Sequence, residues 1–400
     1  VSAKVRTSEG VQAEVGSDLG VVADDVMLRA VGSTELASSD VLIDAAGTMS
    51  ASAKDDMQLT AGSMSVDTAM DSSIRMGGDA AVDVGDAMRV TSVTSLDVAT
   101  GGTMSSLSQE MDVYVDATLT ASVDTMVFAA SDDATVSVAD VLTLNTKDAA
   151  INADGDLDLR VAGSSSISSG GMSIDADYTL AVSAGEIASI KTSELELSAS
   201  KSVELTTEQL MVDSTRSMDV FSASSLDVTS RQLEVSSFED TTLSAGGRVT
   251  VTSADATLNV GDTLDVSADD TRVRNSGVVD VFAAEGTRLT SSDVTVSVAD
   301  KIEVLGGDEV KVTTSSLDLS ADTAASVSTT DLSMSIDSGM TATVGSTTQL
   351  TSTDVKVDAA NDVKVSGLAE AFVDSVSAKV RTSEGVQAEV GSDLGVVADD

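Results

Sequence analysis

Apolar and polar residues alternate in short runs along this chain. Leu264-Asp265-Val266, Thr271-Arg272-Val273 and Val279-Asp280-Val281 are successive copies of one pattern, in which a polar residue separates two positions on the same face. Strict alternation over such short runs is typical of a β-strand with one buried face. An amphipathic helix would need apolar residues at spacings of three and four, which these triplets do not supply. The pattern therefore predicts short strands joined by tight polar turns.

The strand-turn unit recurs every seven or eight residues. From Val5 to Val380 we count 49 steps, or about 7.65 residues per step. Because no linker or change of composition interrupts the series, we expect one continuous β-solenoid segment over residues 1–400. The central inward residues that the pattern predicts include Val5, Ala13, Val21, Leu28, Leu36, Ile43, Val66, Ile74, Val82, Val90, Val98, Val113, Phe128, Leu144, Ile151, Leu159, Leu197, Leu205, Val212, Val220, Val228, Val235, Leu243, Val251, Leu258, Val266, Val273, Val281, Val296, Val304, Val312, Leu319, Val327, Met334 and Phe372.

A longer repeat encloses the short one. Residues 376–400 are identical to residues 1–25, so the sequence restarts directly after Ser375. We interpret residues 1–375 as one full repeat and residues 376–400 as the start of the next. The expected context is a much longer tandem array, with both natural termini outside this segment.

Three ways of closing the units fit the short period. Three steps of 8, 8 and 7 residues make a three-sided coil of about 23 residues, and two steps make a flat coil of about 15. In the third arrangement, three chains intertwine and each unit moves to the next face. Because 49 is divisible by neither two nor three, identical repeats fall on different faces of a single-chain coil, whereas a threefold trimer accommodates them automatically. We favour the single-chain, three-sided coil because tandem arrays commonly form solenoids without partners.

Small and flexible residues occupy characteristic places in the unit. Ala268 and Ala283 follow the inward positions and are expected where the chain bends close to the axis. Paired glycines fall between strands, where we expect them to supply positive φ angles at corners. Those pairs are Gly77-Gly78, Gly101-Gly102, Gly170-Gly171, Gly246-Gly247 and Gly306-Gly307. Methionine, which fills narrow interiors well, often holds the first inward position, as in Met57, Met64, Met88, Met111, Met172 and Met218.

Composition supports β-structure and excludes several functions. The chain has no Pro, Cys, His or Trp, and the lack of proline suits a chain that is strand almost throughout, because proline cannot donate to a β-ladder. Disorder is disfavoured because 42% of the residues are hydrophobic and lie in register. The formal net charge of −44 excludes nucleic-acid binding, which needs a basic surface. No stretch approaches about 18 apolar residues, so we expect no membrane span.

Motifs for catalysis or ligand binding are weak. Without His or Cys, Ser-His-Asp and Cys-His sites are excluded within this segment. Ser198-Ala199-Ser200-Lys201 fits the S-x-x-K pairing of some acyl enzymes, but a chain this rich in serine matches it by chance. Asn152, Asp154 and Asp156 imitate the start of a calcium loop. Leu157 stands where that loop requires glycine. We expect no enzyme, no catalytic, cofactor-binding or metal-binding residues, and no small-molecule substrate.

Outward positions carry much of the negative charge. Stacked at about 4.8 Å per 23-residue coil, the chain has about one net charge per 1.9 Å, close to the one per about 1.7 Å of double-stranded DNA. We expect a diffuse cation atmosphere, weak binding of divalent cations that link rods side by side, and protection against edge-to-edge sticking. The acids expected to face solvent include Asp265, Asp280, Glu303 and Asp318, and the lysines in equivalent outward positions are Lys311, Lys356 and Lys364.

Several units resemble a known class of fibre. The segments LDVSADDT, IEVLGGDE and TTLSAGGRVTV look like the β-helical needles of phage-tail spikes and of type VI secretion spike proteins. The resemblance implies a stiff fibrous β-helix, although the sequence has no recognisable tip, baseplate module or regular octad glycine.

The expected function is therefore structural. We predict a segment of a giant tandem-repeat protein that builds a stiff, highly acidic filament or appendage, because each added repeat lengthens the stack without changing its section. The alternative is the shaft of an adhesin or spike whose binding tip lies outside the segment. The expected partner is the protein itself, through end-to-end repeats and lateral or trimeric self-association, and the expected location is extracellular or on a cell-surface appendage.

Overall fold

The computed structural model describes residues 2–6, 11–15, 19–367, 370–382, 386–390 and 393–398, all of whose regular structure is β-strand. The chain divides into two units, residues 1–200 and 201–400, which are described separately. The side chains of Val5, Ala13 and Phe372 lie outside the described residues.

The described part of the first unit consists of short parallel strands. They are β1 Ser2–Arg6, β2 Val11–Val15, β3 Leu19–Ala23, β4 Asp25–Ala30, β5 Thr34–Ala45, β6 Met49–Ala53, β7 Met57–Thr68, β8 Ser72–Met76, β9 Ala80–Val84, β10 Ala87–Ser92, β11 Ser95–Thr100, β12 Thr103–Ser108, β13 Glu110–Val115, β14 Thr118–Ser122, β15 Thr125–Ala130, β16 Ala134–Val138, β17 Val141–Asn145, β18 Asp148–Ala153, β19 Leu157–Val161, β20 Ser164–Ser168, β21 Gly171–Ala176, β22 Thr179–Thr192 and β23 Glu194–Ala199.

The second unit continues the numbering. Its strands are β24 Ser202–Ser214, β25 Met218–Ser222, β26 Ser225–Ser237, β27 Thr241–Ala245, β28 Arg248–Ser253, β29 Asp255–Val260, β30 Thr263–Asn275, β31 Val279–Ala283, β32 Gly286–Val298, β33 Lys301–Gly306, β34 Glu309–Ala321, β35 Ala324–Ile336, β36 Met340–Val344, β37 Thr347–Ala359, β38 Val363–Gly367, β39 Glu370–Thr382, β40 Val386–Val390 and β41 Asp393–Ala398. The longest strands of both units, such as β22 and β30, pass around a corner without interruption.

Parallel pairing within one chain defines the coil. Leu258 is the Cα partner of Val281, and Val281 is the partner of Val304, so each step along the stack is about 23 residues. Elsewhere in the described strands the step ranges from 22, as between Val251 and Val273, to 24. Three strand-turn units therefore make one turn. This confirms the prediction of a single-chain, three-sided β-solenoid. A flat coil would pair residues only two units apart, and an intertwined trimer would pair residues of different chains.

Burial follows the predicted alternation, but in strands such as β30 and β31 it differs between the ends and the centre. At the two ends of a side the inward residues are fully buried, as Leu264, Val279 and Ala283 show, whereas the central Val266 and Val281 are only partly buried. The ends pack into the tight corners of the triangle, and the centre of each side faces the axis. The other central residues whose side chains are described are likewise buried or partly buried.

Methionine and alanine largely occupy the places predicted for them. Met88, Met111, Met172 and Met218 are buried at first inward positions, while Met57 and Met64 are partly buried. Ala283 is fully buried, whereas Ala268 remains partly exposed.

One residue counted in the inward series departs from it, since Val380 is about half exposed. Val380 pairs with Val357 on one side.

The predicted role of the paired glycines is wrong. No described glycine has a positive φ angle, so left-handed conformation does not explain their position at the corners. Close approach of stacked coils explains it instead. A Cβ atom on Gly77 would overlap the carbonyl oxygen of Lys54, and one on Gly307 would overlap that of Ala284, each one coil earlier. Glycine therefore lets the backbone of one corner lie directly on the corner before it.

Candidate functional site

The contacts between successive coils are the candidate functional site, because they determine whether further coils can be added. Aspartates at the corners provide the most regular of these contacts. Oδ1 of Asp25 accepts hydrogen bonds from the N–H (3.0 Å) and the hydroxyl (3.1 Å) of Thr48. Oδ1 of Asp40 accepts the same two bonds from Ser63, at 3.1 and 2.6 Å. Each bond crosses from one coil to the next.

These corner aspartates form ladders where they follow one another. The N–H of Asp79 donates to Asp56 at 3.0 Å, and Oδ1 of Asp79 accepts from the N–H of Thr103 at 2.8 Å. In the second unit Asp240 accepts from Thr263 and Asp255 from Val278, both at 3.1 Å. The carboxylate thus accepts a hydrogen bond from a backbone N–H group at the turn that has no carbonyl acceptor in the strand ladders. We call these residues the corner aspartates: Asp25, Asp40, Asp56, Asp79, Asp133, Asp156, Asp240 and Asp255.

Buried hydroxyls bond the corners from the inside. Oγ1 of Thr314 lies 2.7 Å from the carbonyl oxygen of Ser316 in its own corner and 3.0 Å from that of Ser292 in the preceding coil. Oγ of Ser352 lies 2.8 Å from the carbonyl oxygens of both Asp354 and Thr330. A Ser or Thr at the last inward position therefore shares its one hydroxyl proton between a carbonyl oxygen of its own corner and one of the preceding coil.

Ion pairs also join adjacent coils on the outer faces. Arg89 and Asp112 are 3.2 Å apart, and Lys147 and Asp124 are 3.0 Å apart, each pair separated by one coil. Arg89, Lys147 and Asp124 are well exposed and Asp112 is partly exposed, so each pair contributes only about 0–1 kcal/mol.

Among the described lysines, Lys301 has a pKa that its surroundings clearly raise. Its ammonium bonds the carboxylate of Glu303 on the same strand. This bond is the largest cause of the raised pKa of Lys301. Burial opposes it, and the charges of Glu303, Asp280 and Asp300 add to it.

The acids predicted to face solvent occupy outward positions. Asp318 is exposed, and Asp265, Asp280 and Glu303 are partly exposed. These side chains point away from the interior of the second unit, and the apolar residues on either side of each one point into it.

The lysines predicted to share outward positions lie on two columns. Lys311 and Lys356 belong to one column, since both are Cα partners of Ser333. Lys364 lies on another column, beside Thr341. Arg288 precedes Lys311 in the first column, so the second unit carries a short basic column in an otherwise acidic chain.

The residues that imitate catalytic or calcium motifs lie on strands and turns of the solenoid. Asn152 lies exposed on β18, and Asp154 lies exposed in the turn after it. Asp156 is a corner aspartate, which accepts the N–H of Thr179 at 2.9 Å. Ser198 is partly buried on β23 of the first unit, and Lys201 belongs to the second unit.

Two kinds of feature are absent from the described part of the chain. No group of three or more acidic side chains there is placed to hold a metal ion. No helix long and apolar enough to cross a bilayer occurs among the described segments.

Comparison with known protein families, with characterised proteins and with solved structures found no match to this chain. Of what the likeness to phage-tail and type VI secretion spikes implies, the structure shows the stacked β-coil, and no comparison supports the likeness itself.

The corner aspartates were not predicted from the sequence, although a signal for them is present. Each one immediately precedes the first inward residue of one side of the coil, as Asp25 precedes Val26 and Asp133 precedes Ala134. An aspartate at that position of the unit is therefore a candidate for a coil-to-coil bond, although Asp270, which precedes Thr271, pairs with Arg272 on its own strand instead.

Proposed function

We propose that this protein is a structural protein, a segment of a giant tandem-repeat protein that builds a stiff, highly acidic filament or appendage. The observation that carries the proposal is the nearly constant pairing step between stacked strands in the described part of both units. Because the step is constant, each coil offers the next coil the same backbone hydrogen-bonding edge that the preceding coil offered to it. The identical sequence restarts after Ser375, and the step of 23 residues continues across the restart, since Ser352 pairs with Ser375 and Val355 with Ala378.

The corner aspartates and corner glycines support this proposal. They make contacts in the stacking direction, which is the direction in which a filament bears load. A chain selected for catalysis would need converging polar groups in a cleft, whereas these polar groups are spread along the corners and bonded to backbone. We therefore propose no enzymatic activity and no resident cofactor.

The charge of −44 suits a filament that must not adhere side by side. Like charges on neighbouring filaments keep their long β-surfaces apart. Divalent cations would screen that repulsion and link filaments laterally, which light scattering with added MgCl2 and with NaCl of equal ionic strength tests. An extracellular or cell-surface location fits this role and is part of the proposal.

The second candidate is the shaft of an adhesin or spike that carries a binding tip elsewhere. The stacked β-coil favours it to the same degree, because a shaft and a filament have the same construction. Sequencing the gene to both ends separates the two. Uninterrupted copies of residues 1–375 support the filament, and a terminal domain of different composition supports the shaft.

Electron microscopy tests the structural role directly. A protein with one additional copy of residues 1–375 should be longer by about 80 Å at unchanged width, because about 16 coils stack at about 4.8 Å. A flat coil would add about 120 Å and an intertwined trimer about 235 Å at the same spacing. A particle that grows in width rather than in length would contradict the proposal.

A further inference from the structure

The interior of the first unit contains an elongated cavity. Its volume is about 140 Å³, and its lining residues extend along the chain from Met64 to Val182. That range covers about five coils, or about 25 Å at the usual spacing of stacked strands. All three sides of the triangle contribute inward residues to the lining, most of them buried.

Small residues at the central positions explain why the space is open there. One coil presents Ser106, Val113 and Ala121 to the axis. In the next coil their Cα partners include Phe128, above Ser106, and Leu144, above Ala121. The short side chains of this coil leave a gap at the axis, and the larger side chains of the preceding and following coils do not fill it.

The chemistry of the lining excludes water and polar ligands. The lining residues are apolar except for Ser106 and Asn152, and the side chain of Asn152 is exposed on the outer face. Ser106 is 3% exposed, and its hydroxyl lies 3.3 Å from Sδ of Met88. A buried water needs two to four polar partners, which one hydroxyl does not provide.

We propose that this cavity is a binding site for a small, unbranched hydrocarbon. Apolar cavities of about 150 Å³ stay dry and bind xenon or benzene in other proteins. Here a similar volume is drawn out over several coils, so a linear chain fills it better than a ring. The four methionines that line it add adaptable, polarisable contact surface: Met64, Met88, Met104 and Met111.

Xenon is the probe for the first experiment. Titration of the full chain with dissolved xenon, followed by ¹²⁹Xe NMR, should show saturable binding. Ala121→Leu fills the gap and should weaken xenon binding at least tenfold, and Ser106→Val should weaken it in the same direction. Ala51→Leu is the matched control, because Ala51 is an equally buried central residue outside the cavity lining. It should retain binding even if it lowers stability.

Competition defines the shape of the ligand. We expect n-hexane to displace xenon and to raise the melting temperature of the unsubstituted protein but not that of Ala121→Leu. Cyclohexane should do neither. The proposal is overturned if xenon does not saturate, if both filling variants bind it as well as the parent, or if cyclohexane competes as well as n-hexane.

Discussion

The backbone N–H of Asp156 donates a hydrogen bond of 2.8 Å to Oδ1 of Asp133, one coil earlier in the same corner. Oδ1 of Asp156 accepts the N–H of Thr179 in turn. An acidic residue here stabilises the stack by hydrogen bonding, even though the net charge of the chain opposes compaction. Charge and hydrogen bonding of the same side chain therefore act in opposite directions, and substitutions can separate the two effects.

Replacement of Asp133 by alanine should lower the free energy of unfolding by about 1 kcal/mol, because the N–H of Asp156 loses its acceptor. Urea denaturation monitored by circular dichroism measures the change. Asp132→Ala removes the same charge from the neighbouring position and should be neutral or slightly stabilising. Asp133→Asn keeps the acceptor oxygen and should lie close to the parent. Equal losses in Asp133→Ala and Asp132→Ala would show that the corner bond contributes nothing.

Replacement of Gly77 by alanine should destabilise the protein by about 2 kcal/mol, since the new methyl group must push away the carbonyl oxygen of Lys54. Gly20→Ala is the control, because no atom lies within 4 Å of the position its Cβ would take. That substitution should be neutral or stabilising, through the reduced freedom of the unfolded chain. Thermal unfolding compares the stability of the two variants with that of the parent. An unchanged stability of Gly77→Ala would disprove the close-approach explanation.

Replacement of Leu226 by alanine should cost about 3 kcal/mol, because the side chain is 1% exposed at a first inward position of β26. Leu305→Ala should change stability by no more than about 0.5 kcal/mol, because Leu305 lies outward and is 37% exposed. Chemical denaturation of the two variants compares the same substitution on opposite faces of the sheet. A larger loss for Leu305→Ala would reverse the assignment of the faces.

The raised pKa of Lys301 predicts a small loss of stability at high pH. Because its pKa in the folded protein is raised, chiefly by the hydrogen bond to Glu303, its contribution is complete below the ordinary pKa of lysine. The contribution disappears as the pH rises through the raised value. The difference in stability between the parent and Lys301→Gln should therefore shrink over that interval, and it should be small throughout because solvent reaches both side chains of the pair. Lys364→Gln removes an equal charge elsewhere, and the same pH dependence in that variant would contradict the assignment.

Alternation along the strands could be predicted because it depends only on near neighbours. Leu264 and Val266 are two residues apart, so any extended backbone places them on the same face. The closure of the coil was favoured but not determined by the sequence, since steps of seven or eight residues fit two-sided, three-sided and intertwined forms equally. Pairing of Val281 with Val304 depends on contacts one full coil apart, which no local pattern contains.

The corner chemistry could not be predicted for a related reason. The closeness of Gly77 to Lys54, and of Asp133 to Asp156, follows from how one coil lies on the next. Before that register is known, a corner glycine is indistinguishable from one that supplies a positive φ angle. A corner aspartate likewise looks the same as one that only solvates the surface. The cavity beside the small central residue Ser106 likewise depends on which residues lie above and below it along the axis, and the sequence alone does not show them.

Crosslinking of stacked residues tests the central claim, that each coil is one three-sided turn of a single chain. Thr143 and Ser166 are Cα partners in adjacent coils, and the chain has no native cysteine. At about 4.8 Å, their separation falls within the range that a disulfide spans. Under mild oxidation, the double variant Thr143→Cys/Ser166→Cys should form an internal disulfide in a monomeric chain, as seen on a non-reducing gel and by mass spectrometry.

The control is Thr143→Cys/Asp158→Cys, whose positions would be stacked in a flat two-sided coil and should not crosslink in the three-sided coil. The account predicts an internal disulfide in the first variant alone. Disulfides between chains in the first variant, or an internal disulfide only in the second, would contradict it.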